Sequence, residues 1–334
     1  MASDDGELGK SRNSAVELKV VESDPQVRAA AGYSNRNGAV ARLIVNENDA
    51  VSGTSSTEWF NRPYEELETA FDSSERILWY YMRSTGRPSF THALLRDIRR
   101  LQLDVAAAFE GTKNLEDAPL RYLVLASALP QTFNLGGDLG LLGSLIRRSD
   151  RIGLEDYARA CIDVLYGNIV ALDLPMVTVS LVRGHALGGG FEAALSSNVL
   201  IAEEQAKFGL PEVLFNLFPG MGAYSLLARR IGQIEAERLI MSGKTYSASE
   251  LHEMGVVDVL AAEGEGERKL YEFVDQRGRR FNSHLAIYQA RKRYAEVTQE
   301  ELNDIAAIWV DAALNLGGAD LRKIDRLASS QDRL

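Results

Sequence analysis

The chain has 334 residues, 46% of them hydrophobic, enough for one large domain with a sizeable core or for a domain plus an appendage. Its 37 basic and 47 acidic residues leave a net charge of −10, which argues against non-specific binding to nucleic acid or an acidic membrane as the main task. The single cysteine, Cys161, excludes an internal disulfide and a cysteine-built zinc site, and fits a reducing compartment.

Residues 1–61 read as a polar, flexible extension, with an apolar stretch at 40–45 that suits a strand or a docking segment. The opening MASDDGE lacks the basic and apolar regions of a signal peptide. No run of about 18 apolar residues occurs, so a cytoplasmic chain without a membrane span is expected. The expected order begins with a core over residues 62–262 and closes with a helical segment over 263–334. Segment 64–71 alternates, with Leu67, Thr69 and Phe71 on one face. A turn signal at 72–74 leads into the aromatic run RILWYYM at 76–82, which predicts a hairpin with a buried second strand. Ser89 or Thr91 can cap the next helix, whose apolar residues recur at helical spacing to about residue 110.

Two similar units follow. The first is a strand at 122–127, a Pro-containing loop, FNLGGD at 133–138 and a helix to about 148. The second is a strand at 177–182, GHALGGG at 184–190 and a helix to about 197. A third strand at 199–202 precedes FGLPE at 208–212. Short helices are expected at 225–231, 234–242 and 248–254, the last stopped by Gly255, then a strand at 256–260. Residues 265–330 read as helical, with an apolar face over 301–316. The pattern predicts an α/β core with a C-terminal helical segment.

A strand that feeds glycines and then a helix start presents free backbone N–H groups. Two such groups converging on one point make an oxyanion hole, and Gly137 and Gly189 occupy equivalent places in the two units. Glycine runs at such junctions also serve tight packing alone, so the turns by themselves leave both readings open. Neither run spells the dinucleotide fingerprint GxGxxG, and GKT at 243–245 lacks the upstream glycine of a P-loop, Arg238 standing there. Glu192 lies in the first turn of its helix among apolar neighbours, where desolvation raises its pKa and the helix N-terminus lowers it. Glu212 is a second acid in an apolar run. Each has a bland reading, as a first-turn acid or a solvated loop acid. Together, flanking two glycine turns, they match a pair for proton removal and donation. The four histidines are scattered, and His252-Glu253 does not complete a zinc motif because Val256 stands at the second ligand position, so no metal is expected.

The stretch VRGHALGGGFEAALSSNVLIAEEQAKFGLPEVLFNLFPGMGAYSLLARRIG resembles the enoyl-CoA hydratase/isomerase (crotonase) superfamily. SGKTYSASELHEMGVVDVL is similar to that superfamily's helix–helix–strand close, and FNLGGDL to its first oxyanion turn. The resemblance covers about residues 62 to 330. Within the superfamily the blocks FNLGGDL, ALGGGFEAALS, GLPEVLFNLFPGMGAY and IWVDAALNLG look closest to the diffusible signal factor synthases, and Asn216 stands where general hydratases usually carry glycine.

The resemblance implies a spiral of repeated ββα units and a homotrimer built by the C-terminal helices, with no cofactor. It implies oxyanion donors at Gly137 and Gly189, catalytic carboxylates at Glu192 and Glu212, and an acyl pocket lined by Leu187, Met221 and Trp309. The implied activity is dehydration of a 3-hydroxyacyl carrier-protein thioester to the cis-2-enoyl form. Hydrolysis would then release a cis-2-unsaturated fatty acid used as a quorum-sensing signal. Candidate docking patches for an acidic acyl carrier protein are Arg147-Arg148 with Arg151, or Arg229-Arg230, though solvated helix faces would show the same pattern. Two rivals stand beside this reading. One is an ordinary enoyl-CoA hydratase or isomerase. The other is a catalytically silent binding or regulatory module whose extension recruits a signalling partner.

Overall fold

The computed structural model describes residues 59–84 and 86–331. The expected extension, with its apolar stretch at 40–45, falls outside the described residues up to residue 58. A turn at Trp59–Asn61 packs on the first strand, where Phe60 stacks on Phe71 at 4.8 Å. Strands β1 (Leu67–Asp72) and β2 (Ile77–Met82) form the expected antiparallel hairpin, with Leu67 opposite Met82. Asp72 closes its turn by accepting the Ser74 N–H at 2.9 Å and the Ser74 hydroxyl at 2.6 Å, the local bonding that suits aspartate to turns.

From β2 onward the main sheet is parallel, adding β3 (Tyr122–Ser127), β5 (Val177–Val182), β7 (Val199–Glu203) and β10 (Val259–Ala261). β3, β5 and β7 are buried along their whole length, as parallel strands covered on both faces must be. Alternation along β2 sorts the core. Leu78 and Tyr80 face the larger cluster, while Ile77 and Trp79 join Val179, Ile201, Phe273 and Leu285 on the other side.

Four short strands make a second sheet in the order β4 (Thr132–Asn134), β6 (His185–Leu187), β8 (Lys207–Gly209), β9 (Thr245–Ser247). Each early repeat thus gives a long strand to one sheet, a short strand to the other, and then a helix. This is the ββα spiral with C-terminal helices that the resemblance implies. Helix α1 (His92–Ala108) is capped by Thr91, whose hydroxyl accepts the Leu94 N–H at 3.0 Å. Helix α2 (Leu139–Arg147) is capped by Asp138, and α4 (Gly189–Leu195) starts inside the triple glycine. Helices α5 (Ala223–Ile231), α6 (Gln233–Ser242) and α7 (Ala248–Glu253) match the expected ones within two residues, and α7 carries a capping box between Ser247 and Glu250.

Two expectations need correction. Helix α3 (Arg151–Ile169) is 19 residues long and has no counterpart in the reading of the sequence. Its buried residues, among them Leu154, Tyr157, Cys161, Ile162 and Leu165, spread beyond one stripe because sheet and helices pack on several of its sides. The strand expected at 256–260 begins only at Val259, because the Val256 and Val257 N–H groups both donate back to the Leu251 carbonyl at 2.8 and 3.1 Å. The C-terminal segment is four helices, α8 (Gly266–Gly278), α9 (Phe281–Tyr294), α10 (Gln299–Leu314) and α11 (Gly318–Gln331). α10 packs on α3 and α11 on α2. Among the described residues no helix is long and apolar enough to cross a membrane.

Candidate active site

The two glycine turns meet backbone to backbone. Gly136 has φ +88°, and a Cβ there would lie 2.8 Å from the Gly189 nitrogen and 2.9 Å from the Leu187 carbonyl oxygen. No side chain fits, and the left-handed φ disfavours one independently. Gly136→Ala is therefore expected to push the turns apart, abolishing activity and lowering stability by about 3 kcal/mol. Turnover and a thermal melt check it, and a variant with unchanged turnover would refute the requirement for close approach. The Gly137 and Gly189 N–H groups have no acceptor among the described residues, and both glycines line one pocket.

Glu192 projects from the first turn of α4 and is 1% exposed. Its Oε1 accepts the Met221 N–H at 2.8 Å and the Ala223 N–H at 2.9 Å. Helix α5 begins at Ala223 behind Gly222, which offers no side-chain cap, so the carboxylate of a different helix fills that place. Burial pushes the Glu192 carboxyl above the ordinary range, and the N–H groups at the start of α5 oppose that shift. Glu212 sits in the first turn of a 3₁₀ helix, Pro211–Phe215. Its Oε1 lies over Gly188, where a Cβ would approach to 2.6 Å, and its Oε2 is buried without a hydrogen-bond partner. Burial raises its pKa, and the Glu192 charge raises it further. The two carboxyls thus share an apolar site with unequal support: Glu192 accepts two N–H groups from the start of α5, while Glu212 leaves one oxygen without a partner.

The pocket encloses about 540 Å³ of space, part of it open to solvent, between these carboxyls and the wall of α3. Tyr157, Ala158 and Cys161 form that wall, and Leu142, Phe215, Leu217, Met221 and Trp309 line it as well. Trp309 of α10 packs against Gly220, where a Cβ would fall 2.5 Å from the indole. Leu187 is not among the side chains that line this pocket; it lies beside Gly209, its partner across β6–β8, 3.4 Å from where a Cβ would stand there.

Tyr157 is a site residue that the sequence reading missed together with its helix. Its hydroxyl donates to the Phe90 carbonyl at 2.7 Å and accepts the Asp138 N–H at 3.0 Å, pinning the Gly137 turn. Its one sequence signal is a tyrosine among the apolar positions of segment 151–169. No group of three or more His, Cys, Asp or Glu side chains that could hold a metal ion occurs among the described residues.

A family model described as enoyl-CoA hydratase/isomerase matches residues 98–312. The chain belongs to the enoyl-CoA hydratase/isomerase family. A probable enoyl-CoA hydratase of Mycobacterium leprae is 35% identical over 147 residues, 44% of this chain and 54% of that protein. A probable mitochondrial enoyl-CoA hydratase 2 of Arabidopsis thaliana is 31% identical over 189 residues, 57% of this chain and 59% of the relative. The chain spans about half the length of these curated relatives. The crystal structure of an enoyl-CoA hydratase from Bacillus halodurans superposes with a TM-score of 0.64 at 18% identity, covering 79% of this chain and all of the other. A structure of Pseudomonas aeruginosa DspI gives 0.59 at 19%, covering 80% and 96%. At such identities the superpositions speak for the fold alone. Both glycine turns of this family member, and both glutamates, fall inside the matched span.

The basic clusters proposed for docking are engaged within the chain. Arg147 meets Asp325 at 2.6 Å, Arg148 meets Asp150 at 3.5 Å, and Arg151 meets Asp311 at 2.6 Å. Arg229 bonds Glu301 through both nitrogens, and Arg230 bonds Asp258 together with two carbonyls. Neither cluster is a patch of unpaired charge.

Proposed function

We propose that this chain adds water to, and removes it from, acyl thioesters at the C2–C3 bond. The observation that carries the reading is a pair of glutamates, Glu192 buried and Glu212 half-buried with one oxygen buried and unpartnered, that line one apolar pocket with two backbone N–H groups unpaired among the described residues. The thioester carbonyl sits against Gly137 and Gly189, whose N–H groups hold the enolate oxygen. A donor so placed typically contributes about 3 kcal/mol to the barrier.

The unequal support suggests where the shared proton rests. Glu192, bonded by two N–H groups, is the better carboxylate. Glu212, with an unpartnered oxygen, is the better acid. In hydration Glu192 takes a proton from the water attacking C3 while Glu212 delivers its proton to C2. In dehydration the same bonds break in reverse, so Glu212 removes the α-proton and Glu192 protonates the departing 3-hydroxyl. The experiment is turnover of 2-enoyl-CoA thioesters of graded length, followed by loss of the conjugated absorbance. Absence of turnover across the series, with the chain folded, would defeat the proposal and favour a silent binding module.

The acyl chain takes the apolar end of the pocket beside Met221 and Trp309. Trp309→Ala should shift preference towards longer acyl chains and lower stability by about 3–5 kcal/mol. An unchanged chain-length profile would remove Trp309 from the acyl pocket.

A finer reading is release of a free cis-2-unsaturated acid from a 3-hydroxyacyl carrier protein, as in the diffusible signal factor synthases. It is supported by the motif blocks and by Asn216, which takes a left-handed backbone with φ +62° and reaches Asp320 of α11 at 3.4 Å. The curated relatives favour the broader hydratase reading. Mass spectrometry for free acid after incubation with 3-hydroxyacyl carrier protein separates the two. The homotrimer implied by the resemblance stays within this proposal, and light scattering on the purified chain tests it.

A further inference from the structure

The Gly137 N–H aims into the pocket only if the peptide joining Gly136 to Gly137 holds one orientation. That peptide is fixed through its carbonyl, since Gly136 O accepts the Phe90 N–H at 2.8 Å. The peptides on either side are held through their N–H groups, Gly136 N–H donating to Asn134 Oδ1 at 2.7 Å and Asp138 N–H to the Tyr157 hydroxyl at 3.0 Å, and through their carbonyls by one side chain from the far end of the chain. Gln331, at the end of α11 and 5% exposed, donates through Nε2 to the Leu135 carbonyl and to the Gly137 carbonyl, each at 3.2 Å. Its Oε1 accepts the Leu139 N–H at 3.4 Å. Three successive carbonyls, 135 to 137, are thereby held from two sides, and the N–H between them is left pointing at the site.

We propose that Gln331 is a positioning residue for the oxyanion hole, through which helix α11 sets the aim of the Gly137 donor. This rests on the hydratase reading above. The chemistry of the side chain is specific. A primary amide supplies two N–H bonds for two carbonyls and one acceptor for the Leu139 N–H. A glutamate would set a negative charge against two carbonyl dipoles. A leucine fills the volume and makes none of the three bonds. Asparagine is one methylene too short.

One buried contact fixes α11 so that Gln331 arrives in place, and an exposed ion pair lies beside it without setting the position of the amide. Ile324 is 1% exposed and packs at Gly143 of α2, and Asp325 takes both of its oxygens to Arg147 at 2.6 Å. The inferred chain of action runs from α11 to Gln331, from Gln331 to the turn at 135–139, and from the turn to the thioester carbonyl. Gln331 touches no reacting atom.

The test uses the full chain and the variants Gln331→Leu and Gln331→Met, with Asp325→Ala as a control that cuts the surface ion pair and leaves the amide. Hydrogen exchange by mass spectrometry reads the order of the turn without any substrate. Peptides covering residues 133–139 should exchange at least several-fold faster in both Gln331 variants, while those covering β3 and β5 stay unchanged. With a 2-enoyl-CoA substrate, kcat should fall about tenfold with KM within twofold. The carbonyl stretch of the bound thioester, read by difference Raman spectroscopy, should move back towards its solution position. Asp325→Ala should retain most of the wild-type kcat. Unchanged exchange at 133–139 in folded Gln331 variants overturns the inference whether or not the wild type turns over. Faster exchange with wild-type kcat and an unmoved carbonyl band overturns it as well, because the turn would then be loosened without consequence for the donor. A wild type without any turnover, but with faster exchange in the variants, would defeat the hydratase reading and leave the bracing of the turn upheld.

Discussion

Glu192→Gln is expected to lower kcat for 2-enoyl thioesters by about a thousandfold while leaving the thermal melt nearly where it was. The amide is nearly isosteric, and its oxygen can keep both bonds that Glu192 Oε1 makes to Met221 and Ala223. Helix α5 therefore keeps its cap. What is lost is basicity, since an amide cannot take the proton of the attacking water. Glu192→Ala would confound the result by leaving the Met221 and Ala223 N–H groups buried without an acceptor, a cost of about 1–3 kcal/mol. A Glu192→Gln variant that melts normally and retains full turnover would show that Glu192 is a cap and nothing more.

Glu212→Gln is expected to lose turnover to a similar degree and to gain stability at the same time. The sign follows from protonation. A glutamate in an unfolded chain titrates near about 4.3. In the folded chain burial and the Glu192 charge hold Glu212 well above that. Between the two values the folded state binds more protons than the unfolded state, so stability falls as pH rises through that window, and the full penalty persists above it. Replacing the acid with a neutral amide removes the penalty. At pH 8 the variant should melt roughly 2–4 °C above the wild type, for a gain of about 1 kcal/mol. At pH 4 the difference should vanish. The pH–rate profile of the wild type should show two limbs belonging to the pair, both displaced upward from ordinary carboxylates. Lower stability of Glu212→Gln at pH 8 would contradict the account of the site as a strained carboxylate pair.

Gly137, Gly189, Glu192 and Glu212 were legible because each lies within a few residues of a strand end, where a local motif fixes its place. Long buried strands such as β3 and β5 were legible for the same reason: six apolar or small residues in a row, bounded by turn residues, carry their own signal. The short strands β4, β6 and β8 were not, because three residues show no period and exist only through pairing with distant segments. Helix α3 escaped because Glu155, Asp156, Arg159 and Asp163 interrupt its apolar positions, and packing on several sides removes the single stripe that betrays a surface helix. Tyr157 was hidden with it. Leu187, two residues from Gly189, lies beside its cross-strand partner Gly209, a pairing that no local pattern reports. Gln331 lies 196 residues from Leu135, and no local pattern reports a contact over that separation.

The contact of Gly136 with Gly188 and Gly189 has a consequence for how this molecule can change. The reacting end of the pocket is made of main chain and two glutamates, so it presents little for substitution to vary: mutations there either do nothing or destroy the site. The far end is made of side chains from separate segments, Leu142, Leu217, Met221 and Trp309, each replaceable by another apolar side chain of similar volume at a modest cost. Saturation libraries across the pocket should therefore give a two-part map. Near the carbonyl, tolerated variants should be rare and all alike in selectivity. Near Trp309 they should be common, and they should differ in the acyl chains they accept. In such a molecule the bond that reacts is inherited unchanged, while the range of molecules that carry that bond is free to drift.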